Sequence, residues 1–171
     1  MMEIGFVKSL LDVCSNLKSK KIMIIGAGGA CRSIAVELAN KNVDSIELRN
    51  RSEANAKIIS DLINNNFNTK CSYNTRPIGK KDLENIDILI NTTPIGMNSS
   101  QCPIDKNIKP HQNLIVCDIV LLKWANNHQL KVVYGINMLI NQGLLAYEIW
   151  ENIKTEGDTE KIKEIYFKTL K

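Results

Sequence analysis

Chemistry in this chain of 171 residues would have to sit in a few short stretches. The first is Gly26-Ala27-Gly28-Gly29-Ala30-Cys31-Arg32, directly after the apolar run Ile22-Met23-Ile24-Ile25. Two glycines one residue apart let a turn tighten and let backbone N–H groups approach a pyrophosphate. The N-terminus of a following helix favours that anion through its partial positive charge. Cys31 stands where a third glycine is usual, and it is small enough for close packing of helix on strand. A tight turn without a ligand would satisfy G-x-G alone; its placement between a buried strand and an amphipathic helix points to dinucleotide binding.

The second stretch, Leu48-Arg49-Asn50-Arg51-Ser52, decides which dinucleotide. An enzyme using NAD puts an acidic residue about 20 residues beyond the loop to accept the ribose hydroxyls. Here Asn50, Arg51 and Ser52 suit a 2′-phosphate instead, with Arg51 making the charge-assisted contact, so NADP is favoured. The competing reading is a solvated arginine with Ser52 as a helix N-cap. Glu47 is expected to face the sheet rather than its crest. The third stretch, Asn91-Thr92-Thr93-Pro94-Ile95-Gly96-Met97, follows another buried run. Pro94 ends the ladder, and the Asn and Thr side chains can bond a sugar or their own backbone. The fourth is Gly135-Ile136-Asn137-Met138-Leu139-Ile140-Asn141-Gln142-Gly143, where helical spacing puts Met138 and Gln142 on one face toward one cleft.

Strands and helices must alternate to hold these stretches. Phe6, Leu10, Val13, Cys14 and Leu17 form the stripe of a leading helix within residues 1–20. Strands are expected over Ile22–Ile25, Val43–Leu48, Thr69–Tyr73, Ile86–Ile90, Leu114–Ile119 and Lys131–Tyr134. Helices are expected from Ala30, over Glu53–Ile63, Leu121–Asn127 and Asn137–Trp150, and last over Thr159–Leu170 within a C-terminal segment 151–171. Leu139, Leu144, Leu145 and Ile149 cannot share one narrow face, so that helix is expected to pack on more than one neighbour. Six strands alternating with helices predict an α/β, doubly wound, mainly parallel six-stranded sheet in three α/β/α layers, Rossmann-like, with its ligand at the carboxyl ends of the strands.

Composition bounds the rest. At this length the chain reads as a single domain, 1–171. Hydrophobic residues at 44% and charged residues at 23% are ordinary for a globular protein. A net charge of +4 with scattered basic residues, and 5% aromatics, argue against nucleic acid. Five cysteines without a C-x-x-C pair read as reduced thiols and hence a cytoplasmic chain; His111 and His128 lack partners at ligand spacing, so no metal site is expected. No run is long enough to span a bilayer, and Glu3, Lys8 and Asp12 interrupt any signal peptide.

Taken in order, GAGGA (26–30), NRS (50–52), NTTPIGM (91–97) and GINMLINQG (135–143), leading to Tyr147-Glu148-Ile149-Trp150, resemble the C-terminal, NADP-binding domain of the shikimate dehydrogenase family, including its quinate/shikimate relatives. The resemblance runs from Gly5-Phe6 to Trp150. It implies reduction of the ketone of 3-dehydroshikimate with NADPH on the route to aromatic amino acids. It implies that Gly26, Ala27, Gly28, Gly29 and Ala30 hold the pyrophosphate and that Asn50, Arg51 and Ser52 hold the 2′-phosphate. Thr92, Thr93 and Pro94 would lie beside the cofactor, with Ile119, Gly135 and Met138 at the nicotinamide end. Gln142 would reach the substrate.

The chain departs from the family pattern in several places. The family carries an N-terminal substrate domain with a catalytic Lys-Asp pair; here the aspartate position is Met2, no lysine inherits the other role, and that domain is expected to be absent. Shikimate or 3-dehydroshikimate would then be bound mainly through the missing domain, and the chain alone should bind cofactor and barely turn over. The family's Tyr-x-Pro loop is missing between Val120 and Leu121, with residues left out of the sequence favoured over a true deletion. Its second basic clamp is Asn55 here, for which Arg49 could compensate. A stand-alone NADP(H)-binding module acting through a partner predicts the same cleft. A methyltransferase would want an acidic residue where Asn50-Arg51 sits. A homodimer is compatible with the exposed domain face.

Overall fold

The computed structural model describes residues 2–96, 101–118 and 121–155, with 161, 162, 164, 165 and 168. Its strands are β1 (Lys21–Ile25), β2 (Ser45–Arg49), β3 (Lys70–Asn74), β4 (Ile88–Asn91), β5 (Ile115–Cys117) and β6 (Lys131–Val133). They form one sheet in the order β3-β2-β1-β4-β5-β6, every neighbouring pair parallel. The chain leaves β1 first to one side and then to the other, so the crevice between the ends of β1 and β4 is the switch point at which such sheets bind ligands.

The helices are α1 (Met2–Val13), α2 (Gly29–Asn40), α3 (Glu53–Asn66), α4 (Lys80–Leu83), α5 (Leu122–Asn127) and α6 (Gly135–Glu151). Successive side chains of a strand point to opposite faces, and β1 shows this directly. Ile22 and Ile24 enter a core with Phe6, Leu10, Ile34, Leu38 and Ile59 from α1, α2 and α3. Met23 and Ile25 enter a second core with Leu83, Trp124 and the irregular segment that carries Ile104 and Ile108. The three-layer arrangement expected from the alternation of elements is therefore present.

α1 and α6 pack closely because Gly5 has no side chain. A Cβ there would lie 2.9 Å from the Gln142 nitrogen and 3.1 Å from the Met138 oxygen. A buried polar contact fixes their register: Asn141 Nδ2 donates to Ser9 Oγ at 2.8 Å, and Ser9 Oγ donates to the Gly5 carbonyl at 2.9 Å. Through this pair the start of α6 is anchored beside the sheet's carboxyl edge.

Several expectations need correction. α1 ends at Val13, short of Leu17, and β2 begins at Ser45, although Val43 is buried. α4 had no counterpart in the expected elements, because one turn of helix has no apolar period to reveal it. The face of α6 expected to find further neighbours is open among the described residues, with Leu139, Tyr147, Ile149 and Trp150 exposed. Residues 161, 162, 164, 165 and 168 are helical; the rest of the expected helix over 159–170 lies outside the described residues.

Candidate cofactor site

Gly26 closes β1 with φ +104°, a conformation other residues rarely adopt, and its N–H donates to the Arg49 carbonyl at 2.8 Å. A Cβ on Gly26 would stand 2.6 Å from Thr92 Oγ1. The protein's own packing therefore demands glycine at 26. It makes no such demand at 28 and 29, where an added Cβ would meet nothing within 4 Å and both residues are exposed. Gly28 is the N-cap of α2 and offers no side-chain hydrogen bond to the first-turn N–H groups. The loop thus presents bare backbone donors beneath open space, the arrangement a pyrophosphate needs. Ala27 is buried, Ala30 lines the adjoining cleft, and Cys31 is fully buried against the sheet, as a small third position allows. Burial pushes the Cys31 thiol up to about 12, so it stays protonated.

At the end of β2, Arg51 and Ser52 are exposed, and Arg51 has no ion-pair partner among the described residues. Ser52 occupies the N-cap position of α3, as the competing reading has it, but makes no capping bond from its side chain, which leaves its hydroxyl available to a ligand. Asn50 Nδ2 donates to the Ser52 carbonyl at 2.7 Å and fixes the turn that carries both.

Arg49 cannot serve as a second clamp. It is 4% exposed, and its Nη2 lies 2.7 Å from Glu47 Oε1 and 2.8 Å from Asp82 Oδ1, in close ion contact rather than well-aligned hydrogen bonds. Glu47, read from alternation as turned away from the crest, is held in that pair. Asp82 also accepts from both Arg76 Nη1, at 2.7 Å, and Arg76 Nη2. Arg76, together with the Gly79 N–H and Arg49, brings the Asp82 carboxyl down to about 2. Because the folded value lies below the ordinary aspartate value, the stability it contributes is present above about pH 4 and is lost as pH falls toward about 2. Asp82→Asn is expected to flatten the acid limb of a thermal-stability profile over that window; an unchanged limb would count against the network.

The third and fourth stretches meet in a cleft of about 200 Å³ at the carboxyl ends of β4, β5 and β6, beside the first turns of α2. Thr92, Thr93, Gly135 and Met138 line it, with Ala30 beside them. The two threonines use their hydroxyls locally: Thr92 Oγ1 donates to the Ile25 carbonyl and Thr93 Oγ1 to Asn91 Oδ1. Their contribution to a ligand would come through shape and the remaining acceptor capacity. Pro94 is exposed and does not line the cleft, and Gln142 is half-buried one turn beyond Met138, also off its lining. Ile119 and Met97 lie outside the described residues.

Asn91, from the third stretch, also lines the cleft, as does Asp118, which the sequence reading did not single out. Asn91 Nδ2 donates to Asp118 Oδ2 at 2.8 Å, while its Oδ1 accepts from the Thr93 N–H at 3.0 Å. Asp118 Oδ2 also accepts from the Leu121 N–H at 2.7 Å. The Asn91 amide is oriented from both ends and ties the loop after β4 to the chain after β5. A carboxylate directly after a fully buried strand was the signal that could have found Asp118. Among the described residues no lysine lines the cleft, and no three His, Cys, Asp or Glu side chains are placed to hold a metal ion.

The family model for shikimate/quinate 5-dehydrogenase matches residues 8–120. The chain belongs to the shikimate/quinate dehydrogenase family. It is 37% identical to the shikimate dehydrogenase (NADP(+)) of Methanocaldococcus jannaschii, over 92% of this chain and 59% of that protein. Among solved structures it resembles shikimate 5-dehydrogenase from Listeria monocytogenes in complex with shikimate and NAD, at TM-score 0.82 and 26% identity over 96% of this chain and 61% of that one. It resembles 5-ketofructose reductase of a Gluconobacter strain as well, at TM-score 0.81 and 29% identity over 96% of this chain and 62% of that one. The chain therefore spans somewhat under two thirds of the length of each of these proteins, and two differently named enzymes share its architecture almost equally. Within the family the fold alone does not choose the substrate.

Proposed function

We propose that this chain is the cofactor-binding part of an NADP-dependent shikimate dehydrogenase, which reduces 3-dehydroshikimate to shikimate in aromatic amino acid biosynthesis. The observation that carries the reading is the loop at 26–30. Its glycines at 28 and 29 are not required by the protein's own packing, yet they leave backbone donors open above a helix start at the switch point of the sheet. The residues present fit a dinucleotide phosphate: Gly28, Gly29 and Ala30 toward the pyrophosphate, and Arg51 with Ser52 toward the 2′-phosphate. Thr92, Thr93, Gly135 and Met138 surround the nicotinamide end, where the largely apolar cleft excludes water from the reacting face.

When bound, NADPH supplies the hydride that turns a ketone into a secondary alcohol. The developing alkoxide needs a proton, and the cleft's own carboxylate, Asp118, is committed to Asn91 and the Leu121 N–H. Among the described residues no lysine lines the cleft, so the general acid and most of the polar contacts to a trihydroxylated acid are assigned to a separate substrate domain, with Gln142 contributing at most one contact. Unpaired cysteines fit a reducing, cytoplasmic setting.

The test is a rate measurement with shikimate and NADP⁺. The 171 residues alone are expected to show no oxidation above background, and activity is expected when they are joined to the substrate domain of a relative. Turnover by the chain alone would place the acid within it and overturn this assignment.

A further inference from the structure

Beneath the crest that carries Arg51, two carboxylates and two guanidiniums form a closed set: Glu47 and Asp82 with Arg49 and Arg76. Their charges sum to zero. Arg49 is the member that touches both carboxylates, and it is the buried one, with its Nη1 also donating to the Arg76 carbonyl at 3.3 Å. Without Arg49 the same place would carry a net negative charge, two residues along the chain from the Arg51 proposed for a dianionic phosphate. Glu47, 29% exposed at the middle of β2, would also lose its partner.

We propose that Arg49 is a positioning residue for cofactor choice: by neutralising Glu47 and Asp82 it leaves Arg51 as the uncompensated cation for a 2′-phosphate. This rests on the reading that a dinucleotide lies over residues 26–30 and 50–52. It explains how the chain manages with Asn55, an exposed neutral residue, where the resemblance leads one to expect a second cation. The neighbourhood is kept neutral from below instead of positive from above.

The experiment is fluorescence titration with NADPH and with NADH of the unmutated chain, Arg49→Met, Arg49→Lys and Glu47→Gln, each at low and high salt. Arg49→Met is expected to lower the NADPH-to-NADH affinity ratio at least about fivefold, and Arg49→Lys to restore most of it. Glu47→Gln, which keeps the side chain's shape and leaves Asp82 on Arg49, is expected to raise the ratio about threefold. These changes should shrink at high salt, because they act through space on a charged group. A purely structural role for Arg49 would weaken both cofactors alike and leave the ratio fixed; that result, or a ratio unmoved by Glu47→Gln, overturns the proposal. If the unmutated chain binds neither dinucleotide, the reading of the site itself fails and the inference falls with it. A preference for NADPH that survives Arg49→Met and Glu47→Gln unchanged removes only the role given to Arg49.

Discussion

Gly26→Ala is expected to lower the stability of the chain by roughly 2–3 kcal/mol and to abolish dinucleotide binding. Two independent causes act. The backbone at 26 sits at φ +104°, where a Cβ is strained whatever space surrounds it. That Cβ would also stand 2.6 Å from Thr92 Oγ1 and 3.0 Å from Thr93 Cγ2. Relief by movement of Thr92 breaks its hydroxyl bond to the Ile25 carbonyl, and relief by movement of the loop breaks the Gly26 N–H bond to Arg49. Either way the helix start that presents Gly28 and Gly29 shifts. Urea denaturation should show a lower midpoint with unchanged slope. Thr92→Ala in the same chain should recover part of the loss, since it removes the clash and leaves the strain. An unaltered midpoint for the single variant would contradict the geometry of this turn. Loss over a fold whose total stability is on the order of 5–15 kcal/mol is substantial but survivable, so binding can still be measured at low temperature.

Arg51→Ala is expected to weaken NADPH about tenfold or more and to leave NADH unchanged. A charge-assisted hydrogen bond is worth roughly 1.5–3 kcal/mol, and the exposure of Arg51 puts the effect toward the low end at physiological salt. The companion groups do not substitute: Arg49 is buried in ion contacts, and Arg76 is held by Asp82. Equal affinities of the unmutated chain for NADPH and NADH would remove the 2′-phosphate assignment.

What the sequence showed and what it hid divide along sequence separation. The run 22–25 followed by Gly26 made β1, the turn and the start of α2 legible, because strand burial, glycine spacing and helix periodicity are all local. The doubly wound, parallel six-stranded sheet followed from the alternation of elements, and Met138 reached the cleft as its place at the start of α6 suggested. Arg49 was misjudged because alternation could tell that it shares a face with Glu47 but not that Asp82, on a one-turn helix beyond β3, closes the pair. Asn91 and Asp118 were missed as a pair for the same reason: each sits at the end of its own strand, and only the neighbouring of β4 and β5 brings them together. Gln142 shares a helical face with Met138, yet α6 runs away from the cleft within one turn as it crosses Gly5, so shared face did not mean shared cavity.

The most direct test of the site is an amide-resolved NMR titration of this chain with NADPH. Large shifts are expected at Gly28, Gly29 and Ala30, at Arg51 and Ser52, and at Gly135 and Met138, with the opposite edge of the sheet unmoved. No shift at 28–30, or shifts confined to the far edge, would contradict the placement of the cofactor.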